Sequence, residues 1–113
     1  DKAIQLEPND ALAHRNRGVA YTLLDQYQTA IQDFDKAIQL DPAEIVTYKS
    51  RGSSYSLMNQ YQPAIQDYDQ AIRLDPNFAQ AYNNRGISYG NMGQNAKADA
   101  DRAKACSLDK QYC

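Results

Sequence analysis

A period of 34 residues constrains this chain more than any other feature. Pro8, Pro42 and Pro76 stand 34 residues apart, and so do Gly18, Gly52 and Gly86, Arg17, Arg51 and Arg85, and Tyr21, Tyr55 and Tyr89. The second half of each interval keeps step through Ala30, Ala64 and Ala98, Ala37, Ala71 and Ala105, and Leu40, Leu74 and Leu108. A chain that copies itself at this interval stacks one supersecondary unit, each copy burying its apolar face against the next.

Within the interval the spacing is helical. His14, Gly18 and Tyr21 follow steps of four and three, which place them on one helix face, and Tyr48, Gly52, Tyr55 and Tyr82, Gly86, Tyr89 repeat the arrangement. Ala30, Phe34, Ala37 and Ala64, Tyr68, Ala71 form an equivalent stripe in the second half. Each unit therefore reads as two amphipathic helices. The expected helices cover 11–24, 27–40, 45–58, 61–74, 79–92 and 95–108, with a stub over 1–6. Glycine inside a helix costs about 1 kcal/mol relative to alanine. Its recurrence at one slot implies close approach of the paired helix, and the small Ala residues opposite suit that. Pro42 and Pro76 end the second helices and open the next ones.

These residues resemble the tetratricopeptide repeat, whose 34-residue signature combines Gly, aromatic, Ala and Pro positions. The resemblance covers the whole chain. In its frame the units are 11–44, 45–78 and 79–112, and residues 1–10 copy the end of a preceding unit. It implies an all-α solenoid of stacked antiparallel helix pairs, three repeats plus an N-terminal half-repeat helix, wound as a right-handed superhelix.

The last unit departs on one stripe. Tyr27 and Tyr61 become Asn95, Ile31 and Ile65 become Asp99, and Phe34 and Tyr68 become Arg102. In a stack that stripe would meet a following unit, so its polarity reads as a solvent-facing cap on the last helix. At the other end, Ala3, Ile4 and Leu6 imply apolar surface that a preceding helix would cover, so the chain reads as a C-terminal fragment of a longer array.

Catalytic signatures are missing. No Gly-rich phosphate loop, zinc-spaced cysteine pair or GxSxG turn occurs, so neither catalysis, cofactor nor metal is expected. His14, the one histidine, fills the slot of Tyr48 and Tyr82, which a packing role explains. Asp33, Asp67 and Asp101 form a carboxylate row in step with Arg17, Arg51 and Arg85, and pairing between the two rows accounts for both. Twelve Lys and Arg against fourteen Asp and Glu leave a net charge of -2, without the basic clustering that nucleic acid requires. No apolar run approaches the ~20 residues of a membrane span. Cys106 and Cys113 are too few for a disulfide scaffold. On a continuous helix their Cα atoms would lie about 10 Å apart, beyond the ~7 Å bridging limit. Lys110 stands where Pro42 and Pro76 stop the earlier units, so a free thiol or an intermolecular bridge is expected rather than a local bond.

The resemblance also implies a function, in which the first helices of successive units line a concave groove that grips a partner's peptide. Carried over slot by slot, the groove residues are Arg15, Asn16, Val19 and Leu23, then Lys49, Ser50 and Ser53, then Gln80, Asn83, Asn84 and Ile87, with Leu12, Thr22, Val46, Ser56, Leu57, Gly90 and Asn91 on the same face. Asn16 and Asn84 share a slot from which an amide can grip an extended backbone, and Ser50 interrupts that ladder. The family's clamp for the C-terminal carboxylates of heat-shock chaperones wants basic residues at Arg15, Gln80 and Asn84 and asparagines at Val19 and Ser50. Only Arg15 fits, so chaperone-tail binding by that clamp is not expected, although Arg15 and Lys49 give the groove a basic edge suited to mildly acidic peptides. The expected function is a protein-interaction scaffold. Alternatives are a self-association module, homo-oligomeric through the N-terminal edge or the convex tyrosines, and a non-catalytic targeting arm of a larger protein.

Overall fold

The computed structural model describes residues 10–113, in which each 34-residue interval folds as a helical hairpin. Helices α1 (Ala11–Leu23) and α2 (Tyr27–Leu40) form the first, α3 (Ile45–Leu57) and α4 (Tyr61–Leu74) the second, α5 (Ala79–Asn91) and α6 (Asn95–Leu108) the third. A 3₁₀ turn, Lys110–Tyr112, follows. The helix ends match the sequence reading to within one residue. The stub over 1–6 and the apolar edge at Ala3, Ile4 and Leu6 lie outside the described residues.

Local chemistry sets these boundaries. Asp10 accepts from the Ala13 N–H at 3.0 Å and Glu44 from the Val46 N–H at 3.0 Å, each satisfying a donor at a helix start. The turn inside each hairpin requires a left-handed residue, supplied by Asp25 (φ 61°), Asn59 (φ 62°) and Gly93 (φ 77°). The first two are held by the tyrosine two residues on, Tyr27 donating to Asp25 at 2.9 Å and Tyr61 to Asn59 at 2.8 Å.

The recurrent helical glycine has a specific partner. A Cβ on Gly18 would lie 2.6 Å from the Phe34 ring, and one on Gly52 would lie 2.8 Å from the Tyr68 ring. The aromatic of the second helix therefore rests on the bare backbone of the first. Phe34 and Tyr68 are buried in consequence, as are Ala30, Ala37, Ala64 and Ala71. In the third hairpin a Cβ on Gly86 would lie 3.1 Å from both the Ala98 carbonyl oxygen and the Asp101 Cβ, and Arg102 stands where the ring would be.

Hairpins stack by packing α2 on α3 and α4 on α5. Around the second junction, Tyr48, Ala71 and Ala81 are buried together, with Ile38, Ile45, Ile72 and Phe78 packed against them. Tyr48 and Tyr82 donate to the Pro42 and Pro76 carbonyls at 2.8 and 3.0 Å, tying each first helix to the loop that precedes it. On α6 the polar stripe Asn95, Asp99 and Arg102 is exposed, and Arg102 lies 3.7 Å from Asp99.

The cysteine expectation is overturned. Cys106 and Cys113 form a disulfide, with Cα atoms 4.6 Å apart. The continuous helix assumed for them stops at Leu108, because the stop signal is the aspartate rather than the proline. Asp41, Asp75 and Asp109 each leave the helix in an extended conformation and accept from the N–H two residues on, at 3.1, 3.0 and 3.1 Å. Asp109 does this with Lys110 behind it, so the tail turns back towards Cys106. Hydrogen bonds from Gln111 hold the exposed Asp109 carboxyl below its usual pKa.

Two measurements follow from this packing. Gly18→Ala should lower unfolding stability by about 1–3 kcal/mol through overpacking against Phe34. Gly90→Ala, whose Cβ meets only the flexible end of Arg102 at 3.4 Å and Ala98 at 3.8 Å, should raise it by about 0.5–1 kcal/mol, both read from urea midpoints. Alkylation of the folded protein should modify neither cysteine until a reductant is added, when two adducts appear; labelling without reductant would contradict the bridge.

Candidate functional site

The face built by the first helices is where structural demands are lightest. Small and polar residues dominate α1, α3 and α5, and α1 packs beside α3 and α3 beside α5. Thr22 and Ser54 hydroxyls meet at 2.9 Å, and so do Ser56 and Ser88. Thr22 and Ser56 are thereby occupied in joining neighbouring units.

Two depressions open between these helices. The first, about 110 Å³, is lined by Val19, Thr22, Leu23, Phe34, Lys49, Ser50 and Ser53. The second, about 220 Å³, is lined by Ser53, Ser56, Leu57, Tyr68, Asn84 and Ile87. Of the sequence-predicted groove residues, Val19, Leu23, Lys49, Ser50 and Ser53 thus come together in one, and Ser53, Asn84 and Ile87 in the other. Arg15, Asn16, Gln80 and Asn83 line neither. Leu23 is 80% exposed, Leu57 56% and Ile87 45%, so the face presents large apolar side chains to solvent.

Arg15 is already engaged. It donates to Glu44 at 3.1 Å and to the Asn16 amide oxygen at 3.1 and 3.4 Å. Asn16 and Asn84 are therefore not equivalent, since one serves its neighbour and the other faces a depression. Phe34 and Tyr68, identified in the sequence only as packing residues, also floor the two depressions. Burial pushes the Tyr68 hydroxyl pKa up, and that hydroxyl lies 3.3 Å from Ser53 Oγ.

The carboxylate row is structural. Arg17 meets Asp33 through two bonds of 2.9 and 2.7 Å, Arg51 meets Asp67 at 2.9 and 2.7 Å, and Arg85 meets Asp101 at 2.8 and 2.7 Å. A second carboxylate row joins the hairpins. Arg51 also donates to Asp35 at 2.8 Å and Arg85 to Asp69 at 2.9 Å, so each fork binds its own hairpin and the previous one. Asp35 and Asp69 are 34 residues apart, a signal that the periodic series contained. The hydrogen bond to Asp101, then that to Asp69, holds the Arg85 guanidinium above its ordinary pKa against the cost of burial.

His14 is buried, with Nδ1 3.8 Å from Asp33. Pro8, the counterpart of the prolines that accept from Tyr48 and Tyr82, lies outside the described residues. Among the described residues no cluster of three His, Cys, Asp or Glu is placed to hold a metal, and no helix is long and apolar enough to cross a membrane.

Stacked helical hairpins with an exposed first-helix face define an all-α solenoid, and comparison with known proteins places it. The tetratricopeptide repeat models match residues 11–43 and 79–112, and a TPR repeat model matches residues 52–93. The chain belongs to the tetratricopeptide repeat family. Its structure is similar to that of MamA protein, at 28% identity and a TM-score of 0.87, over 94% of this chain and 58% of that one. It is similar to the second TPR of Spaghetti (RPAP3) bound to HSP90 peptide SRMEEVD, at 25% identity and a TM-score of 0.86, over 96% of both chains. It is also similar to the Arabidopsis OM64 TPR domain, at 26% identity and a TM-score of 0.87, over 89% of this chain and 84% of that one. The chain spans about three fifths of the MamA chains it matches. No curated protein sequence matches it.

Burial decides how much each arm of the fork matters. Arg51→Ala would strand Asp67, whose side chain is 5% exposed, and should cost about 3 kcal/mol in denaturant unfolding. Asp35→Ala removes a partner that is 55% exposed and should cost under about 1 kcal/mol.

Proposed function

We propose that this protein is an interaction scaffold that holds a partner's peptide segment in the concave groove formed by α1, α3 and α5. The observation that carries this reading is the pair of depressions between those helices, with Leu23, Leu57 and Ile87 left exposed on the same face. Monomeric surfaces seldom expose contiguous apolar patches without a partner to cover them. The peptide-bound repeat domain of Spaghetti (RPAP3) adds support from a relative of the same fold. Repeats of this family are in general non-catalytic interaction modules, and the proposed role is non-catalytic too. A groove of this size and polarity fits micromolar affinity, about -8 kcal/mol.

Val19, Ser50, Gln80 and Asn84 lack the basic and amide groups of a chaperone-tail clamp, and Arg15 is bound to Glu44. The scaffold therefore selects its partner by other means.

A photo-crosslinking residue placed at Leu57, on the groove, and separately at Gln66, exposed on α4, tests the assignment in extracts of the source cells. A discrete adduct from Leu57 alone, competed by excess unmodified protein, is the expected result. Adducts from Gln66 alone, or equally from both, would move the binding face away from the groove.

A further inference from the structure

Lys49 stands apart from the other charged side chains on the groove face. It lines the first depression beside Val19, Leu23 and Phe34, it is half-buried, and no described carboxylate pairs with it. Arg15 is the charged neighbour that bears on it, and Arg15 already has Glu44 at 3.1 Å. An ammonium group held partly out of water next to a second cation is an unsatisfied electrostatic demand. Burial, and then the Arg15 charge, lower the Lys49 pKa accordingly.

Around this cation the seats are apolar. The first depression has the Phe34 ring as its floor and Val19 and Leu23 as walls. The second has Tyr68, Leu57 and Ile87. Ser53 lines both, so one continuous segment can occupy the two.

Building on the groove reading above, we propose that the occupant is an internal acidic-apolar segment, with one apolar side chain in each depression and an Asp or Glu carboxylate on Lys49. One cation without a partner among the described residues matches one carboxylate. A chain end that is itself acidic would bring two, leaving the second unpaired in a half-buried site. Lys49 is also not one of the slots that the chaperone-tail clamp uses, so this selectivity belongs to this chain's own groove.

Selection of random twelve-residue peptides, displayed with their C-termini fused and therefore not free, provides the test. Enrichment of sequences carrying two large apolar residues and an Asp or Glu is expected. Synthetic versions with amidated ends should bind Lys49→Ala about tenfold or more weakly than the unsubstituted protein. Lys49→Glu should select basic peptides instead. Helicity by circular dichroism checks that each variant is folded, and Lys49→Met supplies an uncharged replacement of similar length.

If the enriched peptides lack an acidic residue, or bind the folded Lys49→Ala and Lys49→Met proteins as tightly as the parent while losing Leu57→Arg, the acidic-apolar proposal fails and the groove stands. If their binding survives both Leu57→Arg and Ser53→Arg, the groove reading itself fails. Absence of any enriched peptide overturns both.

Discussion

The contact on which this structure depends is an aromatic ring lying on a backbone that has no Cβ. With Phe34 over Gly18 and Tyr68 over Gly52, a ring lies where a Cβ would be, so the two helices of a hairpin come closer than any other residue at the glycine slot would permit. Closeness at that point fixes the rotation of each helix about its axis. Once it is fixed, Ala30 and Ala37, or Ala64 and Ala71, must face inward, and they are small because the helices are near. The other consequence is on the reverse side. A ring buried between the helices also lies beneath the first-helix face, where it lines the bottom of a depression. One contact thus sets both the scaffold and the bottom of the site.

The arginine forks extend that order from one hairpin to the next. A buried carboxylate alone would be a liability, since desolvation favours its neutral form, and burial does push the Asp67 pKa up while Arg51 pulls against it. The hydrogen bonds that Arg51 donates to Asp67 and Asp35 offset its desolvation, and its pKa lies above its ordinary value. The fork is planar, so satisfying two carboxylates from different hairpins specifies an orientation as well as a distance. The third hairpin has the inner partner, Asp101, but Ala103 occupies the slot of Asp35 and Asp69.

How much of this was legible in the sequence depended on whether a feature repeats. The helices, the glycine slot and the Arg–Asp pairing all recur, and a feature seen three times separates itself from chance. The helix stop is hard to read because proline is the conspicuous residue in LDP, whereas aspartate is the one common to the three described units, at Asp41, Asp75 and Asp109. With Asp109 recognised as the stop, the return of Cys113 to Cys106 follows. The site was harder, because what distinguishes Arg15 from Lys49 is a carboxylate 29 positions away in one case and none among the described residues in the other. A pair such as Arg15–Glu44 that occurs in one unit alone leaves no periodic trace. The double duty of Phe34 and Tyr68 was hidden for a related reason, since a residue type that suffices for packing carries no mark of a depression above it.

The hydroxyl pairs between the first helices give the array a mechanical character. In Thr22–Ser54 and Ser56–Ser88 either oxygen can donate, and a hydroxyl hydrogen turns freely about its C–O bond. Such a link swivels, re-forming across a range of angles. The guanidinium forks, with their fixed planar geometry, resist the same rotation. Neighbouring hairpins are thus joined by two kinds of link, one that leaves the angle between the helices open and one that fixes it.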